Sequence, residues 1–545
     1  MSETDVDPKS VESVQDPPTR LPAIMRSIGP GLIVAGSIVG SGELIATTKT
    51  GAEAGFVLLW LILIGCVVKV FCQIEFGRYA IISGKTTLMA LDEVPGPRFR
   101  GRGNWLVWYW LVMWLASISQ LGGIVGGVGQ SLAIAVPVTS QGRDYNAMAE
   151  AASRERLRSV GAARSELDMA VAATDDDGTA AALKTLRERY ARTYGGVESR
   201  PSDAAIWAGI MAIATSLLLY SGRYGMIQSL STVLVASFTL LTVGNLFLLQ
   251  GQADFAVTAG EFLSGLKGAL PEARSGTAPI ATALATFGII GVGAAELIVY
   301  PYWCLEKGYA KFVGPRPQGV SSSTRSESSE LAELAQSAEP NDALERWTSR
   351  ARGWMRVMQV DAWGAMAVYT FATIAFYLLG AGTLWRLGLN PEKDDMVRTL
   401  AVMYEPVFSQ WASIVFLFGA FAVLYSTFFV ANASHARTFS DCLRVIGVTD
   451  RDETTRRRWI RRLSVVFPLL CWVIYVFFPQ PAKLVLISGI AQGVMLPMLA
   501  VAALYFRYRK CVAGLQPGKW WDAMLWISGV AMLVTGTWTV YVQFR

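Results

Sequence analysis

Two short stretches of the 545-residue chain place an acidic side chain inside otherwise apolar sequence: Val39-Gly40-Ser41-Gly42-Glu43-Leu44-Ile45 and Val292-Gly293-Ala294-Ala295-Glu296-Leu297-Ile298. A carboxylate in the middle of a membrane span costs about 3 kcal/mol on insertion scales, and it is tolerated where it meets a cavity, a partner or a ligand. Two carboxylates brought together repel unless a cation or a proton sits between them. The small residues beside each glutamate weaken the helix, and glycine permits the unwound backbone that frees carbonyl oxygens near Gly40 and Val292. Carboxylate and carbonyl oxygens are the donors that hard cations prefer. Taken alone, either glycine-rich stretch would read as a close packing contact between helices. The matched pair, with Glu43 and Glu296 at equivalent places, points instead to a cation site.

The elements that position these residues follow from hydropathy. The chain is 52% hydrophobic and 17% charged, which places it in the membrane class. Apolar runs of spanning length, about 20 residues, begin near Ile24, Gly55, Trp105, Ala204, Met226, Ala281, Val360, Trp411, Ser464, Lys483 and Ala523, giving eleven expected spans. Basic residues fall in loops on one side of such a model: Arg78, Lys85, Arg98, Arg100 and Arg102 after span 2, Arg223 after span 4, the run from Arg437 to Arg462 after span 8, and Arg507 to Lys519 after span 10. The excess of Lys and Arg marks cytoplasmic loops, so a cytoplasmic N terminus and an external C terminus are expected. The net charge of +6 belongs to this topology and is no nucleic-acid footprint, for basic and aromatic residues do not interleave. No removable signal peptide is expected in the polar start Met1–Arg20. The six cysteines fall in spans or cytoplasmic loops and imply no structural disulfide.

Five spans separate the two acidic stretches, so they enter the membrane from opposite sides, as inverted repeats do. The chain divides accordingly into a cytoplasmic tail (1–21), a first five-helix repeat (22–250), a second (278–510) and an eleventh helix (522–542). Two polar insertions interrupt the pattern. Residues 139–203 read as an external pair of helices turning at Asp175-Asp176-Asp177-Gly178, and residues 314–349, rich in Ser, Glu, Pro and Ala, as a disordered cytoplasmic linker. Lys69, Glu75 and Arg78 are expected near the cytoplasmic end of span 2, snorkelling or paired. The single histidine, His435, is given a structural role, and Asp361 a place at the cytoplasmic vestibule or as a helix cap.

Beyond these residues the chain resembles the Nramp family of divalent-metal transporters, and within it the Nramp-related magnesium branch. The resemblance rests on Gly29-Pro30-Gly31-Leu32-Ile33-Val34-Ala35, Thr50-Gly51-Ala52-Glu53-Ala54-Gly55, Gly84-Lys85-Thr86, Gly222-Arg223, the sixth span and Leu496-Pro497. It covers nearly all the membrane part and neither insertion. Where the family carries Asp-Pro-Gly-Asn this chain has Gly40, Ser41, Gly42 and Glu43, and where it carries Met-Pro-His this chain has Ala295, Glu296 and Leu297. The resemblance thus implies a metal site at Glu43, Glu296, Gly40, Val292 and Ala295, without the soft thioether, and so suited to magnesium or manganese. Family acids of span 3 align with Gln120 and Gly123, so proton coupling is not expected.

The expected protein is an all-α transporter of the leucine-transporter type with broken helices 1 and 6, carrying a divalent cation, magnesium first and manganese next, by alternating access across the bilayer, with no cofactor and no chemical step. The alternatives are a sodium-coupled amino acid or amine transporter of the same fold, or a membrane receptor that transports nothing.

Overall fold

The computed structural model describes residues 14–99, 101–150, 202–221, 224–272, 277–317, 338–391 and 396–543. Among them eleven helices are long and apolar enough to cross a membrane: Pro30–Ala54, Leu59–Ser83, Trp105–Ala135, Asp203–Ser221, Gly225–Leu249, Pro279–Lys307, Asp342–Trp385, Met396–Val445, Glu453–Phe477, Pro481–Lys510 and Lys519–Gln543, here spans 1 to 11. Pro30, Pro279 and Pro481 each open their helix, where a missing N–H costs nothing and the fixed φ suits the first turn.

Spans 1 and 6 are broken. Span 1 runs as half-helix 1a (Pro30–Ile38), loses helical geometry at Val39, resumes as a wide π-turn over Gly42–Thr47 and continues as half-helix 1b (Thr48–Ala54). Span 6 runs as 6a (Pro279–Ile289), is interrupted at residues 290–293, and resumes as 6b (Ala294–Lys307). The second break is sharper. Ile290 and Gly293 are extended, and Gly291, at φ +55°, takes a left-handed conformation that any other L-residue reaches only with strain.

The halves pair crosswise. Thr50 of 1b meets Thr286 of 6a, with their hydroxyl oxygens 2.9 Å apart, and Ser37 of 1a donates to Glu296 of 6b at 3.0 Å. Antiparallel repeats require this arrangement, because each half-helix must lie beside the oppositely directed half of its counterpart. Span 10 backs 6a so closely that a Cβ on Gly288 would lie 2.2 Å from the Gly489 carbonyl oxygen. Small residues allow such an approach, and in lipid this contact replaces the hydrophobic effect as the source of helix adhesion.

Two sequence expectations change, and a third lies mostly outside the described residues. The linker read over 314–349 ends early. Span 7 begins as helix at Ala338, and Leu344, Trp347, Ala351 and Trp354 form a stripe at helical spacing. Trp347 is buried and donates to the Gly314 carbonyl at 3.2 Å, so composition concealed an amphipathic face. Among the described residues the otherwise α-helical fold contains one small hairpin, in the loop after span 2, with Arg98–Phe99 antiparallel to Arg102–Asn104. Asn104 then caps span 3 by accepting the Leu106 N–H. The external insertion lies mostly outside the described residues, including its acidic turn at residues 175–178. Its base is defined, however, for Asp203 accepts the N–H of Val138 and the hydroxyl and N–H of Thr139, pinning the two ends together.

Candidate cation site

The crosswise halves bring both candidate carboxylates to the centre of the bundle. Glu43 opens the π-turn of span 1 and is fully buried. Its carboxylate accepts the Gly40 N–H at 3.4 Å and the hydroxyl of Thr373, on span 7, at 3.1 Å. Glu296 lies in the first turn of 6b and accepts from Ser37. A helix N-terminus favours negative charge, which suits a carboxylate at this place.

The other expected positions are also at the breaks. Gly40 lies so near span 8 that a Cβ there would come within 1.7 Å of Thr427 Oγ1. Its carbonyl accepts the Leu44 N–H at 2.8 Å, so the resuming helix already occupies part of that acceptor's capacity. Val292 is buried within the interrupted turn of span 6. Ala295 donates its N–H to Gln492 Oε1, on span 10, at 3.1 Å.

Glu296 and Ala295 line a polar cavity shared with Ser37, Gln120, His435 and Gln492. A second cavity, walled by Trp110, Trp114, Thr438 and Met495, shares Ser117, Ala295 and His435 with the first and extends toward the basic end of span 8. Glu43 lines neither. No group of three or more His, Cys, Asp or Glu side chains converges among the described residues, so a cation here would draw on two carboxylates, neutral oxygens and water.

Sequence reading missed a neutral network that closes the site. Gln120 of span 3 donates to Ser41 Oγ at 3.0 Å, and its own carbonyl accepts from Ser488 and Gln492 of span 10 at 2.9 and 2.8 Å. The available signal was three polar side chains, two of them four residues apart, in apolar helices. Thr373 and Ser37 offered no signal, since a single hydroxyl in a membrane helix usually bonds its own backbone.

Two placements are corrected. Asp361 does cap a helix, but not its own: from span 7 it accepts the N–H groups of Gly29 and Gly31 at the start of 1a, and the Tyr300 hydroxyl of 6b. Lys69 neither snorkels nor lies at the cytoplasmic end of span 2. It is fully buried, and its ammonium donates to the carbonyls of Phe287 and Ile290 at the end of 6a, within electrostatic reach of both glutamates. Glu75 and Arg78 are paired as expected, at 3.2 Å. His435 is anchored by the Trp114 indole N–H, 2.6 Å from Nδ1, which leaves the proton of the neutral ring on Nε2. That fits a structural role, though the ring also walls the cavity.

Eleven membrane-length helices among the described residues, with the first and sixth broken and paired crosswise, make an inverted-repeat fold of the leucine-transporter type. The model of the Nramp family, described as natural resistance-associated macrophage protein-like, matches residues 332–542, which cover span 7 to span 11. In that segment the chain is similar to the Nramp family, and Leu496-Pro497 of the resemblance lies within it. In fold it is similar to a histidine-to-alanine variant of the Eremococcus coleocola manganese transporter, at TM-score 0.57 and 12% identity over 96% of this chain and 88% of that one. It is likewise similar to the same organism's manganese transporter in complex with an aromatic bis-isothiourea substituted compound, at TM-score 0.55 and 13% identity over 100% and 91%. No curated protein matches the chain by sequence.

Proposed function

We propose that the chain carries a divalent metal cation across the membrane by alternating access, with magnesium the preferred substrate and manganese the next, and without proton coupling. One observation carries this reading: two carboxylates from inverted, broken helices lie at the bundle centre, Glu43 buried and Glu296 half-buried, and Glu296 opens onto a cavity with hydroxyl and amide oxygens in its wall. The polar groups around Glu296 are hydroxyls, amides and the His435 ring, and this cavity holds no thiol or thioether, a set suited to a hard ion that keeps part of its water. The similarity in fold to proteins named as manganese transporters supports a divalent cation. Gln120 stands where the family resemblance would put an acid, and its amide is committed on both sides, so this position supplies no carboxylate.

The N terminus is taken as cytoplasmic and the C terminus as external, from the distribution of Lys and Arg in the loops. The cavities would then open toward the cytoplasm. Uptake by purified protein in liposomes tests the reading, with Mg²⁺, Mn²⁺ and Ca²⁺ compared in turn, an amino acid panel alongside, and a pH-sensitive dye inside. Saturable Mg²⁺ entry without a proton signal is expected. Binding without flux would identify a receptor, uptake of an amino acid in place of metal would identify the alternative transporter, and a Mg²⁺-dependent proton signal would reverse the statement on coupling.

A further inference from the structure

The end of 6a is a cation-binding geometry already filled from within the protein. The last carbonyls of a helix lack intrahelical partners and carry the negative end of its dipole. In 6a the Thr286 carbonyl accepts the Ile290 N–H, after which the chain turns away through left-handed Gly291. The Phe287 and Ile290 carbonyls instead accept from Lys69, at 2.7 and 2.6 Å. The same ammonium lies 4.9 Å from the centroid of the Phe287 ring, a cation–π distance. Glu43 and Glu296 both act on it electrostatically. Helix-end carbonyls, two nearby carboxylates and no bulk water form the surroundings that would hold a monovalent ion.

We propose that Lys69 is a tethered cation that permanently occupies the place of a dissociable monovalent co-ion, so that the divalent cycle runs without sodium. The inference rests on the cation-transport reading and assigns Lys69 a positioning role. Its charge holds the sixth-span break in shape and offsets one of the two carboxylates. With both glutamates ionised the centre carries −2 + 1 = −1, and a divalent ion takes it to +1. A tethered ion cannot leave with the substrate, so no fixed co-ion stoichiometry arises from it. A lysine at this depth costs about 3 kcal/mol on insertion scales unless compensated. The two carbonyl acceptors, at 2.7 and 2.6 Å, offset part of that cost.

The test uses the full chain in liposomes, with Mg²⁺ uptake measured in sodium medium and in a medium whose only monovalent cation is too bulky to enter the site. Wild type should give equal rates in both. Lys69→Ala should be at least about tenfold slower in the bulky-cation medium, the loss of roughly one 1.4 kcal/mol interaction. It should recover when sodium or methylammonium is added, because either can enter the vacated place. Wild-type rates in Lys69→Ala without added small cation would overturn the proposal, as would a loss in folded protein that neither cation restores, or a sodium requirement in wild type. If Lys69→Ala does not fold, Lys69→Arg and Lys69→Met decide: activity retained in the first and lost in the second supports a role for the charge, and equal behaviour refutes it. Wild type that moves no divalent cation would instead defeat the transport reading itself.

Discussion

The two breaks begin from nearly the same sequence and end in different environments. At the span 1 break the chain unwinds gently into a π-turn, and Glu43 is sealed between the Gly40 N–H and the Thr373 hydroxyl. At the span 6 break the chain turns sharply at Gly291, and Glu296 faces a cavity. Paired motifs in inverted repeats therefore need not be functionally equal. Under the proposed transport reading, Glu296 would meet an entering ion and Glu43 would complete the site behind it.

The largest effect that tests this asymmetry is the loss of Glu296. Losing the half-buried carboxylate that faces the cavity would cost about 2 kcal/mol, so Glu296→Gln should slow Mg²⁺ uptake by ~30-fold. In Glu43→Gln the amide oxygen can still accept the Gly40 N–H while its NH2 donates to the Thr373 hydroxyl, so uptake should slow by only about tenfold. Measured rates in the reverse order would mean that the ion rests at Glu43 and that the cavity at Glu296 is only its route.

Backbone geometry gives the next contrast. Gly291→Ala must adopt a left-handed conformation at about 1–2 kcal/mol, and its Cβ would lie 2.8 Å from the Cys66 Cα. At Gly42 the backbone is helical and the nearest atom, the Ile289 carbonyl oxygen, lies at 3.2 Å. Thermal unfolding in detergent should show a clear loss for Gly291→Ala and a much smaller one for Gly42→Ala. Equal losses would mean that the two breaks are equally constrained.

A smaller effect is expected from the network joining the breaks. Gln120→Ala removes hydrogen bonds to Ser41, Ser488 and Gln492. One net bond of about 1 kcal/mol corresponds to roughly a fivefold slower uptake. No change would show that the amide bridge is packing rather than part of the site.

The smallest effect lies outside the membrane and guards the pH measurements. Burial acts to raise the Glu93 carboxyl, but Lys85, Tyr79 and Lys510 donate to it and outweigh burial, holding it at about 2 against an ordinary 4.5. A carboxyl depressed on folding stabilises the protein above its unfolded value, and that contribution is lost as pH falls through the folded one. Stability should thus decline between about pH 5 and pH 2, less steeply in Glu93→Gln. An unchanged slope in that variant would locate the acid sensitivity elsewhere, the two breaks included.

Much of the fold was legible because its signals are local. Span length, apolar runs and opening prolines act within one helix, and the paired stretches around Glu43 and Glu296 reveal the repeat without any partner being known. The linker was misread because serine- and glutamate-rich composition masked the Leu344 and Trp347 stripe, whose burial depends on what lies opposite. Asp361 was recognised as a cap, but the helix it caps is 330 to 332 residues away in sequence.

By itself the sequence determined eleven spans, the inverted repeat and the two carboxylates within broken spans, because the cost of a charge or an unpaired backbone group in lipid is set where the residue stands. Only the tertiary structure decided which carboxylate faces the cavity, that Gln120 joins the two breaks, and that Lys69 ends on the carbonyls of Phe287 and Ile290. Those outcomes depend on hydrogen bonds between helices far apart in sequence. Hydropathy fixes the depth of a side chain, and packing alone selects its partner.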